Sequence, residues 1–133
     1  MADLCESLNT DIHFISRGIG LDKRIGDKFL HPGPGYGGSC FPKDTRAIID
    51  TANKFKRHLS IIKSVVKSNE RRKLLLTKRT EKILNGKIKG KKICFLGVTF
   101  KPNTDDMREA SSLYMIPYLS RNCLLYTSPS PRD

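Results

Sequence analysis

The sequence predicts a mainly α-helical chain that gives way, after about residue 86, to a strand–loop–helix unit. Three observations lead there. Apolar residues recur at helical spacing from Leu59 to Leu84. Proline and an acidic residue stand in the first turn of a second helical stretch, at Pro42 and Asp44. A short apolar run, "ICFLGVTF", follows the glycine-broken segment "NGKIKGKK".

The first nine residues have helical character without an N-cap before them. "NTDIHFISRGIG" restarts the helix, with Asn9 or Thr10 as cap and Gly18 or Gly20 as stop. "LDKRIGDKFLHPGPGYGGSC" holds seven Gly or Pro residues. A connector of that length inside a domain is usually functional. A helix is expected from about Pro42 to Asn53, with Pro at its first turn. One longer helix is expected from about Leu59 to Leu84, its apolar stripe interrupted at Asn69 and Arg72. "KKICFLGVTF" reads as a buried strand, "KPNTDDMREAS" as a loop and "SLYMIPYLSR" as a helix despite Pro117. This is the opening of a nucleotide-binding-like unit, but the G-x-G-x-x-G fingerprint is missing from it. No element is expected in "CLLYTSPSPRD", so residues 122–133 read as a non-native or disordered tail.

The 133 residues carry a formal net charge of +12. From Lys54 to Lys101 there are sixteen Lys or Arg against Glu70 and Glu81. A basic nucleic-acid-binding helical module is one reading of that stretch. A solvated helix face is favoured, because no aromatic residues are interleaved among its helical cations. The four cysteines have neither metal-ligand spacing nor a dense disulfide pattern, so no metal is expected and a reducing compartment fits. The start lacks a signal-peptide pattern and the longest apolar run is too short to span a bilayer, so a soluble, cytoplasmic protein is expected.

"GPGYGGSC" runs from Gly33 to Cys40 and spends four glycines to deliver one cysteine to a helix start. Glycine admits backbone angles closed to other residues and lets a chain approach a ligand closely. At a helix N-terminus, free N–H groups and the macrodipole favour negative charge, and Lys43 adds a cation. These influences favour a thiolate and make Cys40 a candidate nucleophile. Asp44 is placed to position or deprotonate a water. A small buried cysteine in a tight turn is the competing reading.

"GLDKRIGDKFLHPGPGYGGSCFPKDTRAI" resembles the active-site stretch of the UDP-glucose dehydrogenase family. "FLGVTFKPNTDDMREASS" resembles the start of that family's C-terminal domain, and "NER" at Asn69–Arg71 stands between them in the family's order. The resemblance covers roughly Ala2 to Arg121. It implies the helical middle domain of a Rossmann-type dehydrogenase over residues 1–86, followed at 87–121 by the first β-loop-α of an α/β domain that binds the UDP-sugar. Sister enzymes acting on GDP-mannose or UDP-N-acetylmannosamine share a looser cysteine motif; "RIGDKFL" favours UDP-glucose.

The family oxidises the sugar C6 alcohol twice with NAD, through a cysteine thiohemiacetal and thioester. The resemblance therefore implies Cys40 as nucleophile and Asp44 as helper of the water. It places Cys40 and Lys43 on the nicotinamide side and lets Arg108 reach NAD. Arg24, Phe29, Leu30, His31, Pro32, Gly33, Pro34, Gly35, Tyr36 and Gly37 would hold UDP-glucose, with Phe100 and Lys101 from the next domain. A homo-oligomer through the middle domain is implied, with neither nucleic acid nor membrane as partner. The family's N-terminal NAD-binding domain and most of its C-terminal domain fall outside this stretch, so turnover by the 133 residues alone is not expected.

Overall fold

The computed structural model describes residues 1–121 and the strand at 124–128. Helices dominate, as the periodicity predicts. Among the described residues six helices and two short strands follow one another: α1 Ala2–Ser7, α2 Ile12–Gly20, α3 Cys40–Lys54, α4 Ser60–Lys73, α5 Leu75–Ile83, β1 Lys92–Leu96, α6 Ser112–Ser120 and β2 Leu124–Ser128. Two compact units result, Met1–Gly33 and the chain from Pro34 onward.

In the first unit α1 and α2 pack together and Cys5 is buried. The α2 cap differs from the expected one. Asp11, not Asn9 or Thr10, caps the helix, its carboxylate accepting the His13 amide at 2.8 Å. Asn9 is instead left-handed (φ 52°) and helps close α1, with the Thr10 amide donating back to the Cys5 carbonyl. Short polar side chains adopt that conformation at low cost.

In the second unit α3 packs on α4, and α4 and α5 pack on α6. The expected single helix from Leu59 to Leu84 is two helices, parted at Leu74. Lys73 and Thr77 are almost wholly enclosed, and the Thr77 hydroxyl takes the Leu74 carbonyl. A side-chain hydroxyl on that carbonyl competes with the helical amide ladder. The small apolar core lies beneath, where Ile88 and Leu119 meet Leu84, Ile93 and Phe95.

β1 pairs in parallel with β2, Lys92 opposite Leu124 and Leu96 opposite Ser128. The strand at 124–128 stands where no element was expected. It returns beside β1 after the α6 crossover, as parallel pairing requires. Asn122, Cys123 and 129–133, the rest of the expected tail, lie outside the described residues. No helix among the described residues is long and apolar enough to cross a membrane.

Candidate functional site

The glycine segment of the second unit is fixed by polar side chains from below. The Asn69 carboxamide grips the Tyr36 peptide on both sides, accepting its amide at 2.8 Å and donating to its carbonyl at 3.0 Å. The Ser111 hydroxyl donates to the Pro34 carbonyl at 3.0 Å. The Gly38 amide donates to the Arg108 carbonyl at 2.7 Å. Asn69 and Ser111 are both buried, and a buried backbone group that keeps its partner avoids a desolvation cost of roughly 1–3 kcal/mol.

Close packing explains why this segment is glycine-rich. Gly35 and Gly38 are left-handed, at φ 117° and 82°. A Cβ on Gly38 would lie 2.8 Å from the Phe100 ring, and one on Gly37 would lie 2.6 Å from the Glu109 carbonyl oxygen. A Cβ on Gly35 would meet Asn69 Oδ1 at 2.7 Å. Each glycine therefore admits a neighbour that a side chain would expel.

The segment delivers Cys40 to the first residue of α3. Its thiol is free and exposed. Ser39 precedes it as N-cap without a side-chain cap bond to the helix amides, and its hydroxyl lies 3.7 Å from Cys40 Sγ. The Tyr36 and Phe41 rings pack at 5.6 Å, bracketing the turn. Asp44 follows Cys40 by one helical turn, on the same face, and pairs with Lys43 at 3.5 Å. Both side chains are largely exposed.

Arg108 reaches the same place from the loop before α6. Asp106 holds its guanidinium in a fork, at 2.9 Å from Nε and 2.8 Å from Nη2. That fork holds the Asp106 carboxyl below its ordinary value and raises Arg108, with the charge of Cys40 adding a smaller contribution to Arg108. Beside it an open cleft of about 970 Å³ is lined by Gly38, Ser39, Lys43, Arg46, Arg108 and Tyr114, among others. A second cavity, of about 230 Å³, lies between Gly35, Gly37, Phe100 and Ser111, floored by Phe95 and Met115. The Lys101 ammonium sits 5.5 Å from the centre of the Phe100 ring.

The second unit thus gathers Pro34, Gly35, Tyr36, Gly37, Cys40, Lys43, Asp44, Phe100, Lys101 and Arg108. Arg24, Phe29, Leu30, His31, Pro32 and Gly33 belong to the first unit. There the Arg24 guanidinium pairs with Asp22 at 2.7 Å, and Phe29 is left-handed (φ 62°) and almost wholly exposed. Left-handed backbone at a bulky residue is uncommon and gathers at functional loops. Sequence reasoning gave no role to Asn69, Asp106, Glu109 or Ser111. The visible signals were the polar break that Asn69 makes in an apolar helical stripe and the place of all four residues within the motifs "NER" and "FLGVTFKPNTDDMREASS". Among the described residues no cluster of three or more His, Cys, Asp or Glu suits a metal.

The chain matches the model of the UDP-glucose/GDP-mannose dehydrogenase family, central domain, over residues 1–71. It is 47% identical over 119 residues to UDP-glucose 6-dehydrogenase of Rhizobium meliloti strain 1021, covering 90% of this chain and 27% of that protein. UDP-glucose 6-dehydrogenase YwqF of Bacillus subtilis strain 168 is 44% identical over 120 residues, with the same coverage. The chain thus spans about a quarter of the length of these curated relatives. Among solved structures, a UDP-glucose dehydrogenase from the hyperthermophilic archaeon Pyrobaculum islandicum superposes with a TM-score of 0.82 at 33% identity, over 95% of this chain and 30% of that one.

Proposed function

Because the chain belongs to the UDP-glucose/GDP-mannose dehydrogenase family, we propose that it is the cysteine-bearing segment of an NAD-dependent UDP-glucose 6-dehydrogenase. The observation that carries the reading is the placement of Cys40. It is an exposed thiol at a helix start, one turn from Asp44, beside a cleft that presents Lys43 and Arg108. UDP-glucose is preferred over GDP-mannose or UDP-N-acetylmannosamine as substrate because the curated relatives described above carry that name.

In this reading the Cys40 thiolate adds to the aldehyde carbon at sugar C6, giving a thiohemiacetal, and the carbonyl oxygen takes up a proton. At the thioester stage water adds to the carbonyl carbon, the thiolate leaves, and the uronate is released. Asp44 holds that water and accepts its proton. NAD, when bound, supplies the electron acceptor for both oxidations. Lys43 and Arg108 fit one wall of a site for an anionic dinucleotide, since both line the same open cleft and Asp106 keeps the Arg108 fork oriented. In the second unit Pro34–Gly37, Phe100 and Lys101 hold the nucleotide sugar; for Arg24 and residues 29–33 of the first unit the sugar-binding role follows from the family alone.

The domain reading follows the family: residues 1–86 form the helical middle domain, and residues 87–121 open the α/β domain. Ile61 and Val65, one turn apart on α4 and both exposed, offer an apolar strip for a two-fold contact between copies. A cytoplasmic setting suits the free thiols Cys5, Cys40 and Cys94 among the described residues.

The test is NADH formation by the full-length protein that carries this segment, given UDP-glucose and NAD. Two NADH are expected per sugar. Cys40→Ser should slow completion of the second oxidation by on the order of a hundredfold or more. Absence of NADH with UDP-glucose, or full turnover by Cys40→Ser, would overturn the reading.

A further inference from the structure

Along one wall of the cleft, and reaching inward from it to Lys73, lies a charge cluster that the proposed chemistry does not use. Lys73, on α4, has a side chain with no exposed surface. Its ammonium donates to Glu109 Oε2 at 2.7 Å, to Glu70 Oε1 at 3.0 Å and to the Tyr114 hydroxyl at 3.3 Å, and it sits 4.4 Å from the centre of the Tyr114 ring. Arg46, on α3, donates to the other Glu109 oxygen at 2.9 Å. The Tyr114 hydroxyl donates to Glu109 as well, at 3.1 Å. One carboxylate thus ties α3, α4 and α6 together.

Burying a lysine this completely costs several kcal/mol unless the charge is fully partnered. Here the partners are supplied, and the balance is visible in both groups. Burial pushes the Lys73 ammonium down, but its bonds to Glu109, Glu70 and Tyr114 outweigh that and leave it raised. Glu109 is lowered to about 2, by Arg46 first and Lys73 second.

Glu109 directly follows Arg108. The Arg108 carbonyl takes the Gly38 amide, and the Glu109 carbonyl lies against the Cα of Gly37. We propose that Glu109 is a positioning residue: clamped by Arg46 and Lys73, it holds the Arg108 loop against the Gly37–Gly38 turn and so keeps Arg108 in the cleft wall beside the turn that delivers Cys40. Arg108 then supports the thiolate directly, while Glu109 acts through it. This deepens the proposed function and rests on its reading of Cys40 as a reactive thiolate.

Alkylation of the 133-residue chain by iodoacetamide tests it. The reagent is uncharged, so surface charge does not steer it. Peptide mapping gives the Cys40 and Cys94 rates in the same molecules, and Cys94 serves as the exposed internal reference. Glu109→Gln is expected to lower the Cys40/Cys94 rate ratio by about threefold or more at neutral pH, and to displace the Cys40 rate–pH profile toward higher pH. Arg108→Gln should do the same, and the double variant should add nothing further. General loosening of the chain would speed both thiols instead. Mere removal of a negative charge would raise the ratio. An unchanged or raised ratio in Glu109→Gln therefore overturns the proposal. Should circular dichroism show that this variant does not fold, Arg46→Met decides, because it removes only a half-exposed partner. A ratio lowered about twofold supports the proposal and an unchanged ratio overturns it. Equal Cys40 and Cys94 rates in the unaltered chain would sink the thiolate reading itself. A fast Cys40 indifferent to Glu109 would sink the positioning role alone.

Discussion

The second unit has two interiors, and they are built on opposite rules. Beneath β1 and α6, Leu119 and Ile88 are enclosed by other hydrocarbon side chains. Beneath the glycine segment and its anchors, Asn69, Lys73, Ser111 and Ser112 are enclosed beside Ala110. Every buried side-chain nitrogen or oxygen among the described residues has a hydrogen-bond partner. Apolar contacts are non-directional and tolerate small shifts. Polar networks tolerate none, because each misplaced partner leaves a buried group unsatisfied. The apolar interior supplies stability. The polar one sets position, and it lies under the segment that carries Cys40.

Substitutions can break that division from either side. The largest effect is expected from Leu119→Ala, which should destabilise the chain by about 2–5 kcal/mol in urea unfolding. The Cys40/Cys94 alkylation ratio of the folded fraction should not change. Acid should cost somewhat less. Glu109 is lowered to about 2 in the folded chain from an ordinary 4.5, so its contribution is fully present above about pH 4.5 and lost as pH falls through about 2. The loss is at most about 3 kcal/mol, followed as a fall in the urea midpoint between those pH values, and Glu109→Gln should flatten it. Asn69→Ala should cost about 1–3 kcal/mol, since both Tyr36 backbone groups lose their partner. It should disturb the Cys40/Cys94 ratio where Leu119→Ala does not. Arg24→Ala removes an exposed pair with Asp22 in the first unit and should leave the urea midpoint unmoved.

Much of this was legible in the residues. Pro42 and the preceding glycines announced the α3 start and put Cys40 on it, since both signals are local. The β1–loop–α6 order followed from one apolar run and one helical stretch. The break at Leu74 was not legible, because the apolar spacing runs through it. β2 was hidden for a different reason: "LLYTS" gains its identity from pairing with β1, a contact distant in sequence. The glycines were read as room for a ligand. At Gly35, Gly37 and Gly38 they also make room for Asn69, Glu109 and Phe100, partners from 34 or more residues away that no local pattern reveals.

The claim at the centre is that polar anchors hold the glycine segment still before any ligand arrives. Amide hydrogen exchange in the 133-residue chain reads this directly at Tyr36 and Gly38, whose amides donate to Asn69 and to the Arg108 carbonyl. Both amides are expected to exchange as slowly as that of Met115, which is bonded to the Ser111 carbonyl in the first turn of α6. Exchange of Tyr36 and Gly38 at the rate of an unstructured chain, with Met115 still protected, would contradict the account.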